Sequence, residues 1–147
     1  MRPPHIAIVD SLRERHDGAR LERLSRLQTM ALATIEDARS LALSLPRTTE
    51  AIVRGRVKFR VGRIVYLAFS RDETVMGFAF PKEEREWLVG TEPEKFLMPA
   101  ESDLRYNWVH VRLAAIDVAE LRELVFDAWR MVVPKSVAAA QELEPLE

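Results

Sequence analysis

Residues 57–80 read VKFRVGRIVYLAFSRDETVMGFAF, and this stretch decides the fold. Short polar breaks, Gly62-Arg63 and residues 70–73, divide it into three apolar runs that are rich in β-branched and aromatic residues. Gly62 can adopt the positive φ that a two-residue hairpin needs. The pattern predicts a β-meander of three antiparallel strands. The predicted strands are residues 57–61, 64–69 and 74–80.

The flanking segments predict helices and one further strand. Thr34 and Asp37 have the spacing of a capping box, and Pro46 ends the helix that they begin. Asp117 and Glu120 have the same spacing ahead of a longer helix. The remaining predictions are a strand at 108–113, helices at 81–89, 117–133 and 136–143, a helical turn at 93–96, a loop at 97–105, a turn at 46–50 and a short strand at 52–54.

Length and composition predict one soluble domain. The chain has 147 residues, of which 48% are hydrophobic and 31% are charged, enough for a sizeable core. It has no cysteine, which excludes disulfides, thiolate metal sites and a cysteine nucleophile. No apolar run approaches the roughly 20 residues that cross a bilayer, and no secretory signal is visible. We therefore expect a cytoplasmic protein without a membrane partner.

The first 29 residues form a section of their own. Leu21, Leu24 and Leu27 recur at a spacing of three, which favours an amphipathic helix with an Arg-rich polar face. We predict an N-terminal helical extension, in part disordered, over residues 1–29 and a domain over residues 30–147. Met30 leaves a second interpretation open, in which the first 29 residues are a dispensable extension or an over-long gene assignment.

A basic stripe stands out from this background. It consists of Arg54, Arg56, Lys58, Arg60 and Arg63, within ten residues that contain no acid. In a strand, alternate residues share a face, so the spacing of two predicts that Arg54, Arg56, Lys58 and Arg60 lie together. Phosphate is the anion that most often meets such a stripe, because Lys and Arg bound along a nucleic-acid backbone release condensed counterions.

The stripe is local, since the protein as a whole has a formal charge of −1. Residues 64–147 carry nine cations and sixteen acids. Attraction of a polyanion must therefore come from the stripe itself, and it is screened beyond about 8 Å at physiological salt. An alternative interpretation is that cations on a strand near the sheet edge protect that edge from pairing with another chain.

Several segments together resemble the MmcQ/YjbR-like family. They are residues 42–46 with Thr49-Glu50, Gly55, residues 59–63, residues 106–109, and Asp117, Glu120-Leu121 and 127–129. The resemblance covers roughly residues 34–137 and implies an α+β fold similar to frataxin and CyaY, with an antiparallel sheet of about 4–5 strands and helices mainly on one face. It also implies a DNA partner, bound through a double-wing arrangement. Asn107 departs from the family, in which glycine commonly precedes this tryptophan, and Arg63 stands where lysine is usual.

Such a fold leaves one sheet face uncovered, and this face defines the predicted site. Alternation places Trp108, His110 and Arg112 on one side of their strand, beside the basic stripe if both strands present these faces together. Trp108, and Tyr66 with it, would then offer a ring for stacking on a base. The predicted nucleic-acid-binding residues are Arg54, Arg56, Lys58, Arg60, Arg63, Trp108, His110 and Arg112. The alternative is that Trp108 is a core residue.

Catalytic motifs are absent from the sequence. It has no Gly-rich phosphate loop, no histidine pair at ligand spacing and no nucleophile elbow. The resemblance to frataxin would imply iron binding only with an acidic ridge on the first helix, where only Glu36 and Asp37 stand. We expect a non-enzyme without cofactor or metal. Two alternatives remain to a DNA-binding module: an accessory domain that binds a small molecule or protein, in a pocket lined by Trp108, His110 and Tyr66, and an unrecognised enzyme.

Overall fold

The computed structural model describes residues 32–143. The predicted extension over residues 1–29 lies outside this range, so it stays a prediction. The described residues form four α-helices and six strands, with short 3-10 turns at Glu101–Asp103 and Leu113–Ala115. In chain order they are α1 (Ile35–Ser44), β1 (Thr48–Val53), β2 (Arg56–Val61), β3 (Ile64–Phe69), β4 (Val75–Ala79), α2 (Arg85–Thr91), β5 (Phe96–Leu97), β6 (Trp108–Arg112), α3 (Val118–Arg130) and α4 (Lys135–Ala139).

The strands form one antiparallel sheet in the order β1-β2-β3-β4-β6-β5. The meander predicted from residues 57–80 is confirmed, with Gly62 at a φ of 60° in the β2–β3 turn. Strand β6 pairs with β4 although 28 residues separate Ala79 from Trp108 in the chain. The predicted α+β class is confirmed, and the sheet is larger than the four to five strands expected.

One face of the sheet carries the hydrophobic core. Two rows of buried side chains run across the strands in register, and each position is at most 1% exposed. Helices α1 and α3 pack on this face with the apolar sides that their 3.6-residue period predicts. The rows are Phe59, Leu67, Phe78 and Val109, and Phe69, Met76, Val111 and Phe96.

Both long helices begin where the sequence predicts. The Thr34 hydroxyl accepts a hydrogen bond from the Asp37 N–H, and the Asp37 carboxylate accepts one from the Thr34 N–H. Asp117 caps α3 by accepting from the Glu120 N–H at 2.8 Å. Among residues 32–143, every helix is too short or too polar to cross a membrane.

A buried ion cluster joins the segment between α2 and β5 to α3. The Lys95 ammonium lies 3.1 Å from a Glu92 oxygen and 3.1 and 3.2 Å from the two Glu120 oxygens. All three residues are at most 5% exposed. Charges in such a place are tolerated only when they are paired, because desolvation of each costs several kcal/mol.

Several local predictions were wrong in their bounds or type, among them the helix predicted at 136–143, which spans Lys135–Ala139. The predicted turn at 46–50 is partly strand, since β1 begins at Thr48 and is paired along its length with β2. Helix α2 begins at Arg85, four residues after Pro81, and continues through Gly90. The predicted helical turn at 93–96 ends in β5, and the loop at 97–105 contains the first 3-10 turn.

The β2–β3 pairing contains a bulge that changes the direction of Tyr66. Phe59 pairs with Leu67 and Arg60 with Val65, so Tyr66 is the extra residue. Tyr66 and Leu67 are both fully buried as a result. The Tyr66 hydroxyl lies 2.8 Å from Thr48 Oγ1, and burial raises the pKa of Tyr66 to about 12. Tyr66 therefore belongs to the core, and the expectation that it lies beside Trp108 for stacking or in a pocket was wrong.

The ion cluster predicts a large effect of a single substitution. Replacing Lys95 by Met should lower the free energy of unfolding by about 3 kcal/mol, because two buried carboxylates lose their ammonium partner. Lys135→Met, at an exposed position, is the matched control and should change stability by less than about 0.5 kcal/mol. Urea denaturation measures both. Equal stabilities of the two variants would contradict this account of the cluster.

Candidate functional site

An open groove of about 1060 Å³ lies mainly on the sheet face opposite α1 and α3, and it is also lined by Phe69 and by Met131 and Val132, which follow α3. Its floor follows a row of residues in register across four strands, Lys58 on β2, Ala68 on β3, Gly77 on β4 and His110 on β6. The two central positions carry at most a methyl group. The floor is therefore low in the middle of the sheet, and larger side chains rise on either side of it.

The indole of Trp108 fills part of the space above the low centre of the floor. Trp108 pairs with Ala79, and its indole lies against the neighbouring Gly77. A Cβ at position 77 would stand 2.7 to 2.8 Å from three indole atoms, closer than real contacts allow. Glycine at this position of a central strand is thus required by the indole. Trp108 is half-buried and lines the groove, so part of its ring is accessible to a ligand.

His110 lies two residues further along β6 and also lines the groove. It is half-buried, and this burial lowers the pKa of His110 below its ordinary value of 6.5, while the nearby Asp103 carboxylate raises it in part. The imidazole is therefore mainly neutral at pH 7. A neutral imidazole donates one hydrogen bond and accepts another. Within residues 32–143 its ring nitrogens bond to no other side chain or backbone group, which leaves both for a ligand or water.

Buried Arg85 holds the segment that forms one wall of the groove. Its guanidinium donates to the carbonyl oxygens of Tyr106 at 2.9 Å and Trp108 at 3.1 Å, and to that of Leu104. Arg85 is 7% exposed, and its charge lies against carbonyl dipoles. Three anchors over five residues fix the wall and the start of β6.

Asn107 adds a further anchor and explains its departure from the family pattern. Its side-chain oxygen accepts a hydrogen bond from the Lys82 N–H at 3.0 Å, and its backbone oxygen accepts from the Phe80 N–H at 3.1 Å. Its φ is not positive, so the tolerance of Asn for left-handed backbone is not used here. The side chain instead ties the wall to the end of β4.

The basic stripe divides into groove residues and others. Arg56, Lys58 and Arg63 line the groove. Arg54 lies in the β1–β2 turn with a φ of 53°, so the prediction that it shares a strand face with the others was wrong. Arg60 is exposed on β2 but does not line the groove. In the described part of the chain, none of the five makes an ion pair.

Arg112 lies apart from Trp108 and His110. Its guanidinium donates to the carbonyl oxygens of Pro93 and Glu94, both at 3.2 Å, on the side of β6 that leads to β5. It does not line the groove. The structure therefore brings together five of the eight predicted residues, Arg56, Lys58, Arg63, Trp108 and His110, and leaves Arg54, Arg60 and Arg112 outside.

Sequence reasoning missed two groove residues in the wall. Tyr106 is 51% exposed, and the Arg105 guanidinium lies 4.8 Å from its ring centre and donates to its hydroxyl. Asp103 lies in the first 3-10 turn, and its carboxylate is near enough to His110 to raise the pKa of the imidazole in part. The segment Tyr106-Asn107-Trp108 contained the signal for Tyr106, namely a second aromatic ring near the strand start. Nothing in the sequence pointed to Asp103.

The groove has cations at one side and rings at the other. Residues 32–143 contain no cluster of three or more His, Asp or Glu side chains that could hold a metal ion. The groove can therefore bind a ligand that is anionic in one part and planar in another.

Comparisons with known proteins identify the fold. A model of the YjbR family matches residues 43–131, more than half of the chain. Among solved structures, the crystal structure of Deinococcus radiodurans protein DR2400, with a DUF419 domain, is similar at a TM-score of 0.61. The two share 22% sequence identity over 71% of this chain and 82% of that one, a likeness that shows the fold alone. No curated protein matches the chain.

The wall predicts that Arg85 cannot be replaced by lysine. Arg85→Lys should lower the free energy of unfolding by about 2 to 4 kcal/mol, because one ammonium cannot reach three carbonyl oxygens and some remain buried without a donor. Arg60→Lys, at an exposed position, should be nearly neutral. Thermal and urea denaturation of both variants test this. An Arg85→Lys protein with wild-type stability would show that the guanidinium does not hold the wall.

The position of His110 predicts its titration. Its pKa in the folded protein should lie below 6.5, and Asp103→Asn should lower it further by removing the attraction of the carboxylate. The pKa of His110 is lower in the folded protein than in the unfolded chain, so the unfolded chain binds a proton first as the pH falls. The protein should therefore lose stability as the pH decreases from about 6.5 to the folded-state pKa. NMR titration measures the pKa, and Gln at position 110 assigns the signal. A folded pKa of 6.5 or higher would refute the burial argument.

Proposed function

Since this chain belongs to the YjbR family and carries its cations and rings in one groove, we propose that it is a DNA-binding module that uses the groove. The observation that supports this most is the set of Arg56, Lys58 and Arg63, which line the groove without an acidic partner among the described residues. Cations that are not neutralised by their own protein are available to phosphate. The family resemblance to DNA-binding proteins favours the same partner.

The shape of the groove supports an extended ligand. Strands in a sheet lie about 4.8 Å apart, so Lys58 on β2 and His110 on β6 are separated by about 14 Å between their backbones. No single phosphate reaches both ends. A nucleic-acid strand offers a phosphate at one end of this span and a base at the other.

The distribution of charge favours binding that is local and sensitive to salt. The protein has a formal charge of −1, so no general attraction for polyanions assists the groove. Affinity must come from the two or three phosphates that Arg56, Lys58 and Arg63 can contact. We therefore propose moderate affinity that decreases steeply with salt.

A small planar anion is the second candidate, in agreement with the alternative of an accessory domain. The accessible ring of Trp108 and the neutral His110 would suit such a molecule. The volume of about 1060 Å³ lies at the upper limit of small-molecule sites, which makes an extended ligand the better fit. A rise of the melting temperature with a small anion, but not with DNA, would select this candidate.

The proposal predicts that the stripe cations that line the groove contribute more to DNA binding than the two that do not. Arg56→Ala with Lys58→Ala should weaken DNA binding about tenfold or more at low salt, and should lower the slope of log affinity against log salt by about one to two. The measurement is fluorescence anisotropy of labelled DNA, single-stranded and duplex, at several salt concentrations.

The control removes the same charge from the same hairpin. Arg54→Ala with Arg60→Ala eliminates two stripe cations outside the groove, so it should retain most of the affinity and of the salt slope. Equal losses in both double variants would show that net charge, and not the groove, governs binding. Absence of salt-sensitive DNA binding by the wild type would refute the proposal altogether.

A further inference from the structure

We infer that the groove binds single-stranded nucleic acid, with one unpaired base packed against Trp108 and phosphates of neighbouring nucleotides on Arg56 and Lys58. This inference rests on the proposed function and names the form of nucleic acid that the groove accepts. The observation behind it is the position of Trp108 over Gly77 in the groove, because an indole ring has no role in binding phosphate.

Trp108 offers an aromatic surface in a recess of the groove. Trp108 lies low on the sheet because Gly77 lets its indole approach the backbone of β4. The bases of a duplex are stacked on one another, and only their edges reach the grooves. An unpaired base can enter the recess and place its face on an aromatic ring, which is how proteins bind single strands with little sequence preference.

Polar groups that line the groove with Trp108 suit the edge of a base. The ring nitrogens of His110 bond to nothing else within residues 32–143. Asp103 also lines the groove and accepts hydrogen bonds. A base packed on the indole would find a donor and acceptors beside it, whereas a phosphate there would meet the negative charge of Asp103.

The cations of the groove are separated from its rings. Arg56 and Lys58 lie on β2, three strands away from Trp108 and His110, and small residues separate the two groups. A ligand that contacts both groups must therefore span about 14 Å. That span exceeds a single mononucleotide and fits an oligonucleotide of two or more residues, whether its sugar is deoxyribose or ribose.

The experiment compares ligand forms on the intact chain. Anisotropy titrations use a ten-residue oligo-dT, its duplex with oligo-dA, a ten-residue oligo-U and the mononucleotide dTMP. The single strands should bind at least about tenfold more tightly than the duplex, and dTMP should bind far more weakly than either strand. Equal or tighter binding of the duplex would overturn the inference while leaving the proposed function intact. Binding of dTMP as tight as that of oligo-dT would overturn it in favour of a free nucleotide.

Two substitutions test the role of Trp108 separately from that of the cations. Trp108→Leu removes the ring, and Gly77→Ala retains it but forces it out of the recess. Both should weaken oligo-dT binding about tenfold or more and change duplex binding by less than about threefold. Gly90→Ala is the matched control, because a Cβ there meets no atom within 4 Å. Circular dichroism and melting establish that each variant is folded.

The outcomes separate the two proposals. If Arg56→Ala with Lys58→Ala abolishes binding of both forms while the Trp108 and Gly77 variants behave as wild type, DNA binding stands and the base site is refuted. If the single strand loses affinity selectively in both variants, the base site is supported. If the wild type binds no form of nucleic acid, both proposals are refuted together.

Discussion

The pairing of β4 with β6 is the constraint on which the rest of the structure depends. It joins the meander of the first half to the second half of the domain, and it places buried residues of both strands in common rows under α1 and α3. It also places Trp108 against Gly77 on the opposite face. Without it, the groove would have neither its far wall nor its aromatic residue.

This pairing is non-local, and the segment that connects the two strands has to be fixed by polar contacts. Buried Arg85 bonds the wall through three carbonyl oxygens, and the Lys95 cluster ties the same connection to α3. Both anchors place charge in a buried site, where it is tolerated only if it is paired with an opposite charge or hydrogen-bonded. The geometry of the groove therefore depends on the buried contacts of Arg85 and Lys95, which do not line the groove themselves.

The sequence predicted the parts of the fold that follow from local rules. Alternation and turn residues in 57–80 identified β2, β3 and β4, and capping residues located the starts of α1 and α3. Strand β5 was missed because Phe96 and Leu97 become a strand only by pairing with β6. Helix α2 was predicted to begin at Pro81 but begins at Arg85. From this position the buried Arg85 guanidinium can reach the wall. Tertiary contacts decided both cases.

The site was predictable to a similar degree and for the same reason. A spacing of two identified Arg56 and Lys58 correctly as neighbours, but it could not show that Arg54 lies in a turn. It also could not show that a bulge sends Tyr66 into the core, because alternation assumes an uninterrupted ladder. Arg112 obeys the alternation, yet its guanidinium is held by the backbone of Pro93 and Glu94.

Gly77 shows how stability and the candidate function meet at one residue. Glycine weakens a central strand through its backbone entropy and its missing side chain. Here that loss is offset by the Trp108 indole, which fills the space where a side chain would stand. Because the indole covers Gly77, the floor of the groove is partly aromatic at this point. A larger aliphatic residue at position 77 would have raised the floor. The place of the Trp108 ring on the groove side is therefore what the proposed base-binding site depends on.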